Sequence, residues 1–142
     1  ESLYVDDAVL AGIANLDLPP IEQAQNLLNL LFPPAVAEVI FSQFGQLVAD
    51  ARGELREDVL ARQLKAIRAW RAGVSAVFAG GLACPVFVAA GTEDAVIPPV
   101  NARLLVGCSQ TAWLAEFPGG GHAFMAQFPG QLGDAINQFL AL

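Results

Sequence analysis

Basic residues are scarce in this chain: seven Lys and Arg stand against fourteen Asp and Glu, for a formal charge of −7. Phosphate recognition needs clustered cations, so nucleic acid is excluded as a natural partner. The acidic balance also disfavours an anionic membrane surface. Histidine occurs once and cysteine twice, as Cys84 and Cys108, with no Cys-x-x-Cys pair. That leaves too few ligands for a zinc cluster, and no other metal or cofactor motif is present. No apolar run reaches the ~18–20 residues of a membrane-spanning helix. The opening Glu1-Ser2-Leu3-Tyr4-Val5 has neither a basic region nor a cleavage site of the secretory type. These absences lead us to expect a cytoplasmic protein, with both cysteines as buried thiols in a reducing compartment.

What is present is apolar. The chain is 55% hydrophobic and only 15% charged, with a mean hydropathy of +0.50. A disordered chain is excluded by that composition. For a single domain of 142 residues the value is high, and it implies surface meant to be covered by more protein. The chain also starts without methionine, which reads as a piece of a longer polypeptide.

Two textures divide the chain, at the Gly80-Gly81 pair: residues 1–80 read as helical and residues 81–142 as alternating strand and helix. In the first part, Pro19-Pro20 opens a helix with Leu27, Leu28, Leu30 and Leu31 on its apolar face. Phe32-Pro33-Pro34 ends it and opens another over 35–51, where Val36, Val39, Ile40, Phe44, Leu47 and Val48 recur at helical spacing. After Gly53 a third helix is predicted over 54–72. Leu55, Val59, Leu60, Leu64, Ile67 and Trp70 form its stripe, and charged residues cover its other side. In the second part, Pro85-Val86-Phe87-Val88-Ala89-Ala90-Gly91 is an uninterrupted apolar run, as expected of a strand buried on both faces. A short helix over 100–106 and a strand over 111–117 follow. A last helix over 129–142 points Leu132, Ile136, Phe139 and Leu140 inward. Strand–helix–strand–helix implies two parallel strands with flanking helices, an α/β arrangement.

The residues suited to chemistry lie just beyond the two strands. Gly91-Thr92-Glu93-Asp94 follows the first, and Gly119-Gly120-Gly121-His122 follows the second. In parallel sheets, sites form beyond the carboxyl ends of the strands. Adjacent strands would bring a carboxylate to the imidazole, which suits proton transfer near neutral pH. Asp94 and Glu93 both qualify as that carboxylate.

Residues 85–99, Pro-Val-Phe-Val-Ala-Ala-Gly-Thr-Glu-Asp-Ala-Val-Ile-Pro-Pro, resemble the penultimate core strand and acid loop of α/β-hydrolases. Residues 117–124, Phe-Pro-Gly-Gly-Gly-His-Ala-Phe, resemble that family's last strand and histidine loop. Gln127-Phe128-Pro129 and the helix after it resemble its closing helix. Residues 1–80, above all Phe32-Pro33-Pro34 and the stretch from Gln63 to Trp70, resemble the helical cap many members carry. The resemblance selects Asp94 over Glu93 and implies that Asp94 and His122 are the acid and histidine of a nucleophile–histidine–acid triad. It also implies a hydrolase of small esters, thioesters or lactones, with members that use a carboxylate nucleophile as a further possibility.

The family's Gly-x-Ser-x-Gly elbow is missing. Gly73-Val74-Ser75-Ala76-Val77 lacks the second glycine and follows a helix, so Ser75 reads as a connector. A complete enzyme of this kind has about 250 residues. The chain therefore reads as the C-terminal part of the fold, inactive in isolation. Two strands alone make a marginal sheet, so we expect either the missing N-terminal segment or a second copy, paired strand to strand, as partner. The alternative is a non-catalytic module that uses the fold as an interaction scaffold.

Overall fold

The computed structural model describes residues 5–73 and 82–141. The Gly80-Gly81 boundary and Ser75 lie outside the described residues.

The first part is helical. Helix α1 (Asp7–Ala14) starts at Asp6, whose carboxylate accepts from the Ala8 amide at 2.7 Å. That bond satisfies one of the open donors of a helix start. The apolar periodicity does not foretell α1, which is eight residues long and too short for a repeating stripe. Helices α2 (Pro20–Leu31) and α3 (Pro34–Gly53) each open on a proline, whose fixed φ suits the first turn. Between them the backbone at Phe32 is extended, φ −132 and ψ 152. Leu28, Phe32 and Ala37 form a buried cluster, against which Leu31, Val36, Ile40, Phe41 and Ala123 pack.

The inward face of α3 differs from the expected stripe. Its buried residues are Ala37, Gly45, Ala49 and Arg52. Val39, Phe44 and Leu47 stand outside, 55%, 50% and 68% exposed. Small residues allow the close approach that α3 makes, which leaves the larger apolar residues on its outer side. The buried Arg52 donates to Gln23 Oε1 at 3.1 Å and to the carbonyls of Ile13 at 2.9 Å and Asn15 at 3.4 Å. Gln23 in turn donates to the carbonyls of Leu18 and Leu16. This polar knot ties the end of α3 to the link between α1 and α2. Burial lowers the pKa of Arg52.

Helix α4 (Glu57–Gly73) starts later than the periodicity predicts. Val59, Leu60, Leu64 and Ile67 are half-buried, whereas Leu55 and Trp70 are exposed. An ion pair from Arg71 to Asp7, 2.7 Å long, joins α4 to α1.

The second part runs β1 (Val86–Gly91), α5 (Val100–Val106), β2 (Ala112–Phe117), α6 (Phe124–Gln127) and α7 (Pro129–Leu140). The strands are parallel, in register from Val86 opposite Ala112 to Gly91 opposite Phe117. Helix α5 packs on both strands, and Arg103 on it pairs with Glu116 of β2 at 2.8 Å. Phe139 of α7 meets Phe87 and Trp113, which are partners across the ladder, at ring-centroid distances of 5.6 and 6.0 Å.

Burial in this part is thinner than the apolar run predicts. In β1 only Val88 and Gly91 are buried, while Trp113 and Leu114 of β2 are exposed. Of the residues expected to point inward from α7, Leu132 and Phe139 are half-buried, but Ile136 and Leu140 are exposed. Among the described residues the sheet has two strands, too little area to cover its helices. The cysteines also depart from expectation: Cys84 is exposed and Cys108 half-buried, both as free thiols. Cys84 lies ahead of β1 in the connection, outside any packed layer.

Candidate active site

Parallel pairing places the carboxyl ends of β1 and β2 side by side, and the chain turns into a polar loop after each. The two loops are stitched together. The Thr92 amide donates to the Phe117 carbonyl at 3.1 Å and the Glu93 amide to the Gly120 carbonyl at 2.8 Å. The Gly119 amide returns a bond to Thr92 Oγ1 at 3.0 Å. So close an approach requires glycine: a Cβ on Gly91 would land on the carbonyl oxygens of Gly120 and Gly121. Gly119, at φ +71, takes the left-handed conformation that glycine adopts freely.

Asp94 sits where the first loop turns. Its Oδ1 accepts from the amides of Val96 and Ile97, each at 2.8 Å, which fixes the carboxylate. His122 Nδ1 lies 3.0 Å from Asp94 Oδ2 and 3.2 Å from Oδ1. The structure thus brings Asp94 and His122 together. Glu93 contributes its backbone amide to the loop contact and is otherwise exposed.

An ionised carboxylate only accepts, so Nδ1 carries the proton. In the neutral ring the lone pair then lies on Nε2, free to accept a proton from a reacting group. Burial pushes the Asp94 carboxyl up. The hydrogen bond from His122, the Ile97 amide, the charge of His122 and the Val96 amide together pull it below its ordinary 3.8. For His122, the hydrogen bond to Asp94 dominates. It raises the imidazole above 6.5, with help from the carboxylate charge and against the effect of burial. Such an arrangement is able to work as a base: an ionised Asp94 favours the imidazolium form of His122.

A cleft of about 440 Å³ opens beside the pair, lined by Val88, Asp94, Ile97, Pro98, Leu105, His122 and Met125 among others. Largely apolar walls, with Asp94, Asn101 and His122 as the polar side chains among them, suit a small organic ligand. A cleft of similar volume, about 420 Å³, lies between α1 and α4 against Asp7, Leu10, Leu64 and Arg68. It holds no acid–base pair, so chemistry points to the first. Among the described residues no group of three or more His, Cys, Asp and Glu side chains could hold a metal ion, and no helix is long and apolar enough to cross a membrane.

Two contributors escape the sequence reading. Thr92 holds the glycine loop through Oγ1. Gln127, at the end of α6, accepts from the Gly121 amide at 2.9 Å and donates to the Gly119 carbonyl at 3.1 Å. Neither residue type announces such a role; only the fold brings it to the loop.

No protein-family model matches the sequence, and no curated protein sequence matches it. Solved structures do. A meta-cleavage product hydrolase from Pseudomonas fluorescens IP01 is similar at a TM-score of 0.77 and 16% identity, over 99% of this chain and 53% of that one. A hydrolase from Pseudomonas aeruginosa PA01 follows at 0.71 and 22%, over 99% and 53%. A thermophilic esterase from Thermogutta terrifontis gives 0.51 and 17%, also over 99% and 53%. The chain spans about half the length of the structures it resembles. At these identities the likeness is one of fold.

Proposed function

On the framework of a partial α/β-hydrolase fold, which this chain has, we propose that it supplies the acid and histidine of a hydrolytic triad. The single observation that supports the reading is the 3.0 Å contact between His122 Nδ1 and a carboxylate oxygen of Asp94. In this reading Asp94 fixes the tautomer and steadies the imidazolium. His122 Nε2 takes the proton of a nucleophile as that nucleophile attacks an acyl carbon, then returns a proton to the leaving group. Small esters, thioesters or lactones fit an apolar cleft of this size. In this reading residues 1–80 are the helical cap region and residues 81–142 the C-terminal part of the core.

The sequence contains no Gly-x-Ser-x-Gly, so the nucleophile comes from a segment outside these residues. A further N-terminal segment, or a second copy of the chain, also supplies a strand neighbour for β1, whose sheet is marginal by itself. Alone, the chain is inert: esterase turnover equal to that of a His122→Ala control is expected, and any excess over that control contradicts the proposal. In a polypeptide that includes the nucleophile, Asp94→Asn lowers kcat by about 10⁴-fold with KM little changed. An unchanged kcat there would refute the assignment of Asp94. The two free thiols fit a reducing, cytoplasmic setting.

The exposed Phe44, Leu47 and Trp70 favour one other reading, a scaffold that binds protein through apolar surface. A fluorophosphonate probe tests the serine version of the first reading: labelling of the whole polypeptide supports a serine hydrolase over a scaffold, and no labelling would sink the serine version.

A further inference from the structure

The loop that delivers His122 is a run of three glycines, Gly119-Gly120-Gly121. Glycine gives the conformational freedom the turn needs, and for the same reason it gives the loop no stiffness of its own. Something outside the run must hold it if His122 is to keep a fixed distance to Asp94. Backbone contacts do part of this. The Glu93 amide donates to the Gly120 carbonyl, and the Ala123 amide to the Leu31 carbonyl at 3.0 Å. One side chain already helps, Thr92 Oγ1 receiving the Gly119 amide.

The carboxamide of Gln127 adds a different kind of contact. Its Oε1 accepts from the Gly121 amide, one residue before His122, and its Nε2 donates to the carbonyl of Gly119. One planar group thereby spans the run from its first glycine to its last. With one atom accepting and the other donating, the amide has a single satisfactory orientation. The side chain is itself anchored. Gln127 closes α6, which Phe124 begins, and Phe124 stacks on Phe117 at the end of β2 at 4.9 Å. Strand end, glycine loop and short helix thus form one closed circuit.

We propose that Gln127 is a positioning residue for His122, its carboxamide bracing the glycine loop that carries the imidazole. The proposal rests on reading Asp94 and His122 as a working pair. It assigns Gln127 no contact with substrate.

Because His122 is the chain's single histidine, its imidazole nitrogens can be followed by ¹⁵N NMR without ambiguity. In the wild-type chain the neutral ring is expected as the Nδ1–H tautomer, with a titration midpoint above that of free histidine. Gln127→Met keeps the side-chain bulk and removes both hydrogen bonds. It is expected to mix the tautomers and move the midpoint back toward the free value, while circular dichroism shows the fold retained. Gln127→Glu keeps the acceptor for Gly121 and loses the donor to Gly119. It should show mixed tautomers too, and it decides the question if the methionine variant fails to fold. Exposed Gln131 on α7 provides the control: Gln131→Ala leaves both readouts at wild-type values. Folded Gln127 variants that keep the wild-type tautomer and midpoint would overturn the proposal and leave the Asp94–His122 reading standing. A wild-type chain with a mixed tautomer and an ordinary midpoint would end both.

Discussion

The two regions of the molecule hold themselves together in different ways. In the helical region the contacts are between side chains. Leu28, Phe32 and Ala37 are buried together, and Arg52 gathers Gln23 and two carbonyls under the helices. In the strand region backbone meets backbone directly, the Thr92 and Glu93 amides donating to the Phe117 and Gly120 carbonyls, with the side chains of Thr92 and Gln127 adding to the stitching. Side-chain packing tolerates adjustment because side chains can shift. Backbone contact at this range does not, because nothing can move aside. The region that is tightly stitched through its backbone is also the one that carries the acid–base pair.

The sharpest way to break that contrast is to add one methyl group to each region. Gly91→Ala puts a Cβ onto the Gly120 and Gly121 carbonyls. It should destabilise the chain by about 3 kcal/mol or more, read from urea denaturation, and should also separate Asp94 from His122. A smaller loss follows from Arg52→Met. That change leaves Gln23 Oε1 and the Ile13 carbonyl without their donor, at about 2–3 kcal/mol. Smaller again is Gly53→Ala at the end of α3, where the nearest atom to a new Cβ is Pro20 Cγ at 3.8 Å. With space available and an ordinary helical backbone, it should stabilise by about 0.4–1 kcal/mol. Leu47→Gln, on the exposed side of α3, should change stability by no more than ~0.5 kcal/mol. A loss above 1 kcal/mol would mean that this apolar face is covered, by a second copy or another segment.

The paired charges give the strand region a pH dependence. His122 is raised in the fold, so its contribution is fully present below its unfolded pKa and is lost as pH rises through the folded value. Asp94 is lowered, so its contribution is present above the unfolded 3.8 and is lost as pH falls through the folded value. The pair therefore supports the fold most between about pH 4 and 6.5. In that window wild type should exceed Asp94→Asn in thermal stability, with the gap shrinking as pH falls below it and narrowing by the His122 share as pH rises above it. Hydrolysis runs the other way: the base form of His122 is required, so turnover in the complete polypeptide should rise with pH through the raised midpoint.

The strand region was the more legible in sequence. Proline and glycine bracket its apolar run, and a lone histidine after three glycines advertises itself. Strand order then brings the 91–94 loop beside His122 but leaves Asp94 and Glu93 both open; only the resemblance of residues 85–99 to α/β-hydrolases selects Asp94. The helical region was legible as helices, but its inner face was not. Periodicity marks Val39, Phe44 and Leu47, while close helix packing selects Ala37, Gly45 and Ala49. Arg52 lies just past the helix that periodicity predicts over 35–51, and its burial depends on carbonyls 37 and 39 residues away. Thr92 and Gln127 were invisible for the same reason. Their partners belong to a loop that the fold alone brings within reach. Helix α6, four residues long, is below what any apolar repeat can reveal.

The central claim is that Asp94 holds His122 through Nδ1. It is tested most directly by titrating the imidazole ¹⁵N signals of His122 in wild type and in Asp94→Asn. The account predicts a wild-type midpoint above 6.5 that falls in the variant, together with loss of the Nδ1–H tautomer. Identical titrations in the two proteins, both at the ordinary histidine value, would contradict it.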